Sequence, residues 1–448
     1  DSAHARVSAS SGKGAAAGPT VSRFGGANRP QPISPTSTSP LARRTHPTVH
    51  VTTELILREG ARPCKDSPPR CGCKAGIDVI RAAPVSSTRP LGAIILAAGL
   101  GTRMRSTRAK VLHEIAGLPL LHYPLRALAP LAPEKVAVVV GHQADAVGKA
   151  ARAAGLPGIE TALQAEQHGT GHAVRCALPV FTGFDGDVVI LYGDVPFIQT
   201  ETLQRLVATH RDSGATLSLL TVRFDDPTGY GRIVRDDAGR VRGIVEQKDA
   251  SPAERAIKEI NPGFYCVRST ALSLLDELRA NNAQGELYLT DLVGLVAGRG
   301  QRVEAVQIER ADEVAGINTR AELAQMETTM RQEIVGRWMA AGVSFEDPAT
   351  AYVGPDVTIA ADTIIGPNVT LRGRTSLGPD CRLAGTNYLQ DVRVGARARV
   401  GFGCTGQGGA VAAGATVAAL TRITTARPQP KRTTKPKPRA TKAPRRKR

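Results

Sequence analysis

The chain has 448 residues, 42% of them hydrophobic, which is enough for two or three folded domains. Its formal net charge of +18 is typical of polyanion-binding proteins, but the excess lies at the two ends. Residues 1–90 contain 13 Lys/Arg against 5 Asp/Glu, and residues 427–448 contain 11 against none. The stretch between them holds 34 basic and 35 acidic residues, so charge does not identify the folded part as a nucleic-acid-binding domain.

The two ends have compositions typical of disordered chain. Residues 1–48 are mostly Ser, Ala, Pro, Gly, Thr and Arg, and RPQPKRTTKPKPRATKAPRRKR alternates proline with cations. We expect disorder over 1–90 and 425–448. No run of 18 apolar residues exists and the N-terminus lacks the apolar core of a secretory signal, which favours a cytoplasmic protein. The start at Asp1 is consistent with a fragment or a processed product.

Three of the seven cysteines, Cys64, Cys71 and Cys73, form a cluster in CKDSPPRCGC. Three thiols without a nearby fourth ligand make a poor zinc site, so free thiols are expected there. The other four cysteines are scattered, as in proteins of reducing compartments.

Strand-like apolar runs alternate with helix-like segments over residues 91–326. The runs are GAIILAAG, KVAVVVG, DVVILYGDVPF, ATLSLLTVRF and INPGFYCV. This alternation predicts an α/β domain with a mostly parallel, Rossmann-like sheet, whose ligands lie at the carboxyl ends of the strands. Apolar residues at three- and four-residue steps from Leu323 to Trp338 then predict a connector helix, placed at 327–344.

A six-residue repeat follows. Its aliphatic positions are Val353, Ile359, Ile365, Leu371, Leu377 and Leu383. This period predicts a short parallel β-helix over 345–424. The phase slips at AGTNYLQD and resumes with Val394 and Val400, so we expect about three coils. A solenoid that short should need trimer contacts or a cap, because it buries its core only by stacking.

The loop after the first strand, in LAAGLGTRMRSTRAKVLH, combines glycines with cations. Gly99, Gly101 and Thr102 let backbone N–H groups approach an anion, and Arg103 and Lys110 add positive charge. Met104 stands where a dinucleotide fingerprint has its third glycine, and no Walker loop is present. The residues alone leave open a phosphate cradle or an ordinary basic surface loop.

This loop resembles the signature of sugar-1-phosphate nucleotidylyltransferases, and further motifs follow in order. They are LQAEQHGTGHAV, LYGDVPF, DPTGYGRIVRD, IVEQKDA, EINPGFY, NAQGELYLTDLV and GINTRAELAQME. With the hexapeptide repeat, they resemble the bifunctional N-acetylglucosamine-1-phosphate uridylyltransferase/glucosamine-1-phosphate acetyltransferase family (GlmU) over about Leu91 to Gly401. The resemblance implies a nucleotide-diphospho-sugar transferase domain followed by a left-handed β-helix, and a homotrimer assembled through that β-helix.

The implied reaction transfers uridylyl from UTP to N-acetylglucosamine-1-phosphate for cell-envelope precursor synthesis. The implied UTP-binding residues are Leu96, Ala97, Ala98, Gly99, Lys110, Gln164, Gly169 and Thr170. The implied sugar-binding residues are Tyr192, Gly193, Asp194, Gly231, Glu246, Asn261 and Asn318. Asp194 and Asn318 would hold Mg²⁺, and Arg103 and Lys110 would be the catalytic cations.

These roles suit the chemistry of the residues. The amide of Gln164 offers the donor and acceptor that a pyrimidine edge requires. One carboxylate and one amide oxygen suit Mg²⁺ completed by water and phosphate oxygens. The attacking phosphate is already an anion, so catalysis should come from placement and charge neutralisation rather than from a general base.

The chain departs from the family at three places. Ala109 replaces a usual proline, which puts the placement of Lys110 in doubt, and Pro262 replaces a usual threonine beside the sugar ligand Asn261. Beyond Gly401 the histidine, the NY pair and the lysines of the acetyltransferase half are missing, and all nine histidines precede residue 211. We therefore expect acetyl transfer to be lost.

Three other readings stay open at this point. The chemistry could act on another sugar-1-phosphate or base. A different class is a polyanion-binding protein that uses the basic tail nonspecifically. The third is a trimeric scaffold with a degenerate site.

Overall fold

The structure is a computed structural model that describes residues 89–424. The expected disordered ends, the polyanion-binding tail and the Cys64 cluster lie outside the described residues.

The first domain contains twelve strands and six α-helices. The strands are β1 (Leu91–Leu96), β2 (Glu114–Ile115), β3 (Leu118–Pro119), β4 (Lys135–Val140), β5 (Ile159–Leu163), β6 (Asp187–Tyr192), β7 (Leu217–Arg223), β8 (Gly231–Arg235), β9 (Val241–Val245), β10 (Glu259–Asn261), β11 (Tyr265–Arg268) and β12 (Val303–Ile308). The helices are α1 (His122–Leu128), α2 (Ala144–Ala153), α3 (Thr170–Ala177), α4 (Thr200–Ser213), α5 (Pro252–Arg255) and α6 (Asp291–Gly298).

Ten of these strands form one sheet in the order β5-β4-β1-β6-β11-β7-β10-β8-β9, with β12 also paired to β7. The four strands β5, β4, β1 and β6 are parallel, as predicted. Beyond them the sheet is mixed, because β11 runs antiparallel to both β6 and β7 and β10 runs antiparallel to both β7 and β8. The α/β class is confirmed, but the expectation of a mostly parallel sheet is wrong, because five of the nine strand pairings in this sheet are antiparallel.

The core lies on both faces of this sheet. In β1, Ala93 and Ile95 belong to one apolar cluster and Ile94 and Leu96 to the other, and the side chains of both sets are buried. Helices cover each face, which explains why β1 reads as an unbroken apolar run rather than an alternating one.

Helix α7 (Arg320–Ala340) joins the two domains. The helix begins before the predicted start at residue 327, because Thr319 caps it. The Thr319 side chain accepts a hydrogen bond from the Glu322 backbone N–H, and the Glu322 side chain accepts one from the Thr319 backbone N–H. Met330, Ile334 and Val335 bury one side of the helix against the core of the second domain.

The second domain is a β-helix of short parallel strands, consistent with the left-handed form that the family resemblance implied. The strands are β13 (Ser344–Phe345), β14 (Tyr352–Val353), β15 (Thr358–Ile359), β16 (Ile364–Ile365), β17 (Thr370–Arg372), β18 (Ser376–Leu377), β19 (Arg382–Leu383), β20 (Tyr388–Gln390), β21 (Arg393–Val394), β22 (Arg399–Val400), β23 (Thr405–Gln407), β24 (Ala410–Val411), β25 (Thr416–Val417) and β26 (Arg422–Ile423). Most residues at the left-handed corners are Asp, Asn or Gly, which tolerate positive φ.

The expectation of about three coils is wrong. Sheets of five, five and four strands give four complete coils and two strands of a fifth. Leu389 keeps the six-residue step after Leu383, and the phase slips at the corners before Val394 and before Val411, each of which is one residue shorter. The inward position of β23 is occupied by Gly406. A search for aliphatic residues at every sixth position misses it, because glycine has no side chain.

Among residues 89–424, no helix is long and apolar enough to cross a bilayer.

Candidate functional site

A cavity of about 340 Å³ opens where β1, β5 and β6 end. Eleven of the predicted site residues line it: Leu96, Ala97, Ala98, Gly99, Lys110, Gln164, Gly169, Thr170, Tyr192, Asp194 and Asn318. Leu96 ends β1 and the next three residues follow it, and the parallel strands bring the residues at the ends of β5 and β6 to the same edge. The structure therefore assembles every predicted UTP-binding residue in one cavity.

The glycine-rich loop over this cavity requires Gly101. Its φ is +60°, and a Cβ atom at this position would lie 2.7 Å from the Cβ of Lys110. A residue with a side chain would meet both strain and a clash there. The loop then turns through Thr102–Met104, whose Met104 side chain is buried while that of Arg103 is exposed.

Lys110 points at the predicted metal ligands. Its Nζ donates to Asp194 Oδ2 in a close ion pair and to Asn318 Oδ1 at 3.2 Å. The side chains of Lys110 and Asp194 are only 15% and 13% exposed. The sequence predicted that this lysine contacts the nucleotide phosphates, whereas in the structure its ammonium group contacts Asp194 Oδ2 and Asn318 Oδ1.

The same geometry tests whether a metal suits the site. One ammonium group contacts both Asp194 Oδ2 and Asn318 Oδ1, so these oxygens converge on one cation-sized point. A carboxylate and an amide oxygen are ligands that hard divalent cations accept, with water and phosphate oxygens in the remaining positions. The two residues therefore fit such an ion, although no group of three or more His, Cys, Asp or Glu within residues 89–424 could enclose one.

Ala109 does not leave the loop loose, contrary to the expectation from its replacement of a proline. Its backbone N–H donates to Gln143 Oε1 at 2.8 Å, a bond that proline cannot make. Its φ of −55° is the value that proline would impose. A hydrogen bond thus fixes the segment that leads into Lys110.

The predicted sugar ligands Gly231, Glu246 and Asn261 are neighbours beside this cavity. Gly231 pairs with Asn261 across β8 and β10, and a Cβ atom at Gly231 would lie 3.2 Å from Glu246 Oε1. The Asn261 amide is held by Tyr265, whose hydroxyl accepts at 2.7 Å, and by the Gly263 N–H, which donates at 3.0 Å. Burial raises the pKa of the Glu246 carboxyl.

Tyr192 connects the two groups of residues. It lines the cavity, and burial raises the pKa of its hydroxyl, with smaller effects from the carboxylates of Glu246 and Asp194. Its ring lies directly against Gly263, because a Cβ atom there would come within 2.2 Å of the ring. The ring of Tyr192 therefore lies between the cavity and the strands that carry the predicted sugar-binding residues.

We expect Gly263→Ala to lower both stability and activity more than Gly155→Ala. Both glycines have a φ near +90°, so both variants incur the strain of about 1–2 kcal/mol expected for left-handed backbone. Only the Gly263 variant also pushes a methyl group into Tyr192, since no atom lies within 4 Å of a Cβ at Gly155. Melting temperatures and turnover of the two proteins would check this, and equal losses would contradict the contact with Tyr192.

Besides Gly231, Glu246 and Asn261, two predicted residues do not line the cavity. Arg103 is exposed on the loop beside it, and Gly193 contributes a backbone N–H that donates to Leu96 O at 2.9 Å. Sequence reasoning missed four lining residues: Val111, Gln167, Ala173 and Glu286. Gln167 and Glu286 lie within motifs already quoted, and Gln167 Nε2 donates to Ala98 O at 2.6 Å. Val111 and Ala173 are apolar residues that no chemical pattern would have singled out.

Comparison with known proteins agrees with this geometry. A family model described as a MobA-like NTP transferase domain matches residues 93–287. The chain is 50% identical over 275 residues to the bifunctional protein GlmU of Pelobacter propionicus, covering 61% of this chain and 59% of that one. It is 44% identical over 335 residues to the bifunctional protein GlmU of Mycolicibacterium gilvum, covering 74% of this chain and 67% of that one.

The chain belongs to the GlmU family. A third relative, from Kineococcus radiotolerans, is 44% identical over 313 residues, covering 69% of this chain and 63% of its own. The chain thus spans between 59% and 67% of the length of these three relatives.

Proposed function

We propose that this GlmU-family chain transfers uridylyl from UTP to N-acetylglucosamine-1-phosphate, forming UDP-N-acetylglucosamine and pyrophosphate. The observation that supports this most strongly is the single cavity that gathers the glycine-rich loop, Gln164, Lys110, Asp194 and Asn318. The sugar ligands Glu246 and Asn261 lie beside it, on the far side of Tyr192. These groups together suit the parts of the proposed substrates, which are a base, phosphates and a sugar.

The residues act by placement and charge. The sugar phosphate attacks the α-phosphorus as an anion, so no residue has to remove a proton. The loop from Ala98 to Thr102 offers backbone N–H groups to the triphosphate, and the exposed Arg103 is free to reach the same phosphates. Lys110 contributes a nearby positive charge that is most valuable when charge builds up on the transferring group.

Proteins of the GlmU family use a divalent metal, and we propose Mg²⁺ for this chain. Asp194 and Asn318 would hold it, because their oxygens already converge on one cation. When bound, the ion would neutralise the negative charge of the substrate phosphates.

The test is pyrophosphate release from UTP with N-acetylglucosamine-1-phosphate, measured with Mg²⁺ and with a chelator. We expect turnover only with the metal, and a lower kcat/KM for glucose-1-phosphate. Faster turnover of another sugar phosphate would replace the substrate in this proposal. No turnover of any sugar phosphate would favour a scaffold with a degenerate site.

Glu246→Gln tests the sugar half of the site. Glutamine keeps the size of the side chain and removes the charge that accepts hydrogen bonds from sugar hydroxyls, and charged acceptors form bonds about twice as strong as neutral ones. We expect the KM for the sugar phosphate to rise roughly tenfold, with the KM for UTP unchanged. A parallel rise in both KM values would place Glu246 outside the sugar subsite.

Two further expectations remain proposals. We propose that this chain does not acetylate glucosamine-1-phosphate, because residues 344–424 contain no histidine to accept the amine proton. Free-thiol release from acetyl-CoA above an enzyme-free control would refute this. The homotrimer through the β-helix and the cytoplasmic location also stay predictions, the first to be checked by light scattering.

A further inference from the structure

The nucleotide cavity contains a buried amide whose orientation is fixed by the protein. The Gln164 residue is only 4% exposed, and its backbone N–H donates to Val140 O at 2.8 Å. Its side-chain Nε2 donates to Gly169 O at 3.1 Å. A carbonyl oxygen can only accept, so this contact identifies which end of the amide is the nitrogen.

His172 completes the orientation. Its Nδ1 lies 3.1 Å from the same Gln164 Nε2, so it must be unprotonated to accept the second amide hydrogen. Its Nε2 then bears the proton and points at Cys176 Sγ, 3.8 Å away. Burial lowers the pKa of His172, which favours the neutral ring that this arrangement needs.

With both amide hydrogens engaged, the free end of the side chain is its oxygen. Among residues 89–424 no donor contacts Gln164 Oε1, and this atom is not sealed from solvent. Gln164 lines the cavity, so Oε1 presents an acceptor to whatever base enters.

We propose that His172 is a positioning residue that holds the Gln164 oxygen toward the base and so makes the site select uracil over cytosine. This inference rests on the proposed use of UTP. A glycosylated uracil has a single ring donor, N3–H, which must be the group that pairs with an acceptor-only oxygen. Cytosine presents a lone pair at N3, and two buried acceptors facing each other lose a factor of roughly ten to a hundred in binding.

The experiment compares two variants of nearly equal size. His172→Asn keeps an acceptor, Oδ1, close to the place of Nδ1, whereas His172→Leu has none. His172 is half-buried, so both substitutions should be accommodated, and His172→Phe is a second variant that lacks the acceptor. The readout is kcat and KM for UTP and for CTP, with melting temperatures as a measure of folding.

We expect wild type and His172→Asn to prefer UTP, and His172→Leu and His172→Phe to lose roughly tenfold or more of the UTP/CTP ratio. The change should appear in KM rather than kcat, because the base is remote from the reacting phosphorus. Equal ratios in the Asn, Leu and Phe variants would overturn the role of His172 while leaving UTP as substrate. Wild-type protein that turns over no UTP would instead refute the proposed function.

Discussion

Asp194→Ala should reduce uridylyl transfer by roughly a thousandfold or more while the protein stays folded, since charge neutralisation by a bound metal contributes several kcal/mol to catalysis. Asp194 and Asn318 both direct an oxygen at the Lys110 ammonium, and of these two residues Asp194 is the one with a carboxylate. Removing it leaves Asn318 Oδ1 as the only protein oxygen at that point. It also leaves the Lys110 ammonium without its ion-pair partner.

The measurement is pyrophosphate release across a range of Mg²⁺ concentrations. Asp194→Asn keeps an oxygen in place, so it should retain more activity than the alanine variant at high Mg²⁺. Asp185→Ala is the matched control, because Asp185 is exposed and makes no ion pair among the described residues. Near wild-type turnover of Asp194→Ala at limiting Mg²⁺ would show that this carboxylate does not hold the metal.

The cavity could be predicted from sequence because its residues follow strand ends. Leu96 and Tyr192 end β1 and β6, Gln164 directly follows β5, and the parallel strands bring their carboxyl ends to one edge of the sheet. The motifs therefore gave both the residues and their common location. Asn318 reaches the same cavity from much later in the chain, and only the resemblance to a known family placed it there.

The contacts inside the cavity could not be read from the sequence. Lys110 belongs to a phosphate-binding motif, yet its ammonium contacts Asp194 and Asn318, because these are the nearest negative and polar oxygens. The orientation of the Gln164 amide depends on His172, which lies in the same quoted motif but was given no role there. Side-chain direction depends on partners from several elements, which no local pattern records.

The β-helix shows a different limit. Its six-residue step predicted the architecture, but the number of coils was wrong because two corners are one residue shorter and Gly406 takes an inward position. Backbone pairing between coils tolerates both changes, since β20 still pairs with β23 in register through Leu389 and Gly406. The repeat is therefore no longer visible in the side-chain pattern at positions where the backbone pairing still follows it.

Lys110→Met should lower kcat/KM by roughly a hundredfold, the usual effect of losing one donor aimed at charge that develops in the transition state. Methionine keeps the approximate length of the side chain and removes both the charge and the N–H donors. Because the Lys110 ammonium occupies the point on which Asp194 Oδ2 and Asn318 Oδ1 converge, it competes with a metal for these oxygens.

The variant should therefore reach half-maximal activity at a lower Mg²⁺ concentration than wild type, although its maximal rate is lower. A lysine that only bound UTP would give a different result: a higher KM for UTP with kcat and the Mg²⁺ requirement unchanged. Lys149→Met, on the exposed side of α2, is the matched control for loss of one positive charge. If both variants shifted the Mg²⁺ requirement equally, the effect would come from net charge and not from the position of Lys110 between Asp194 and Asn318.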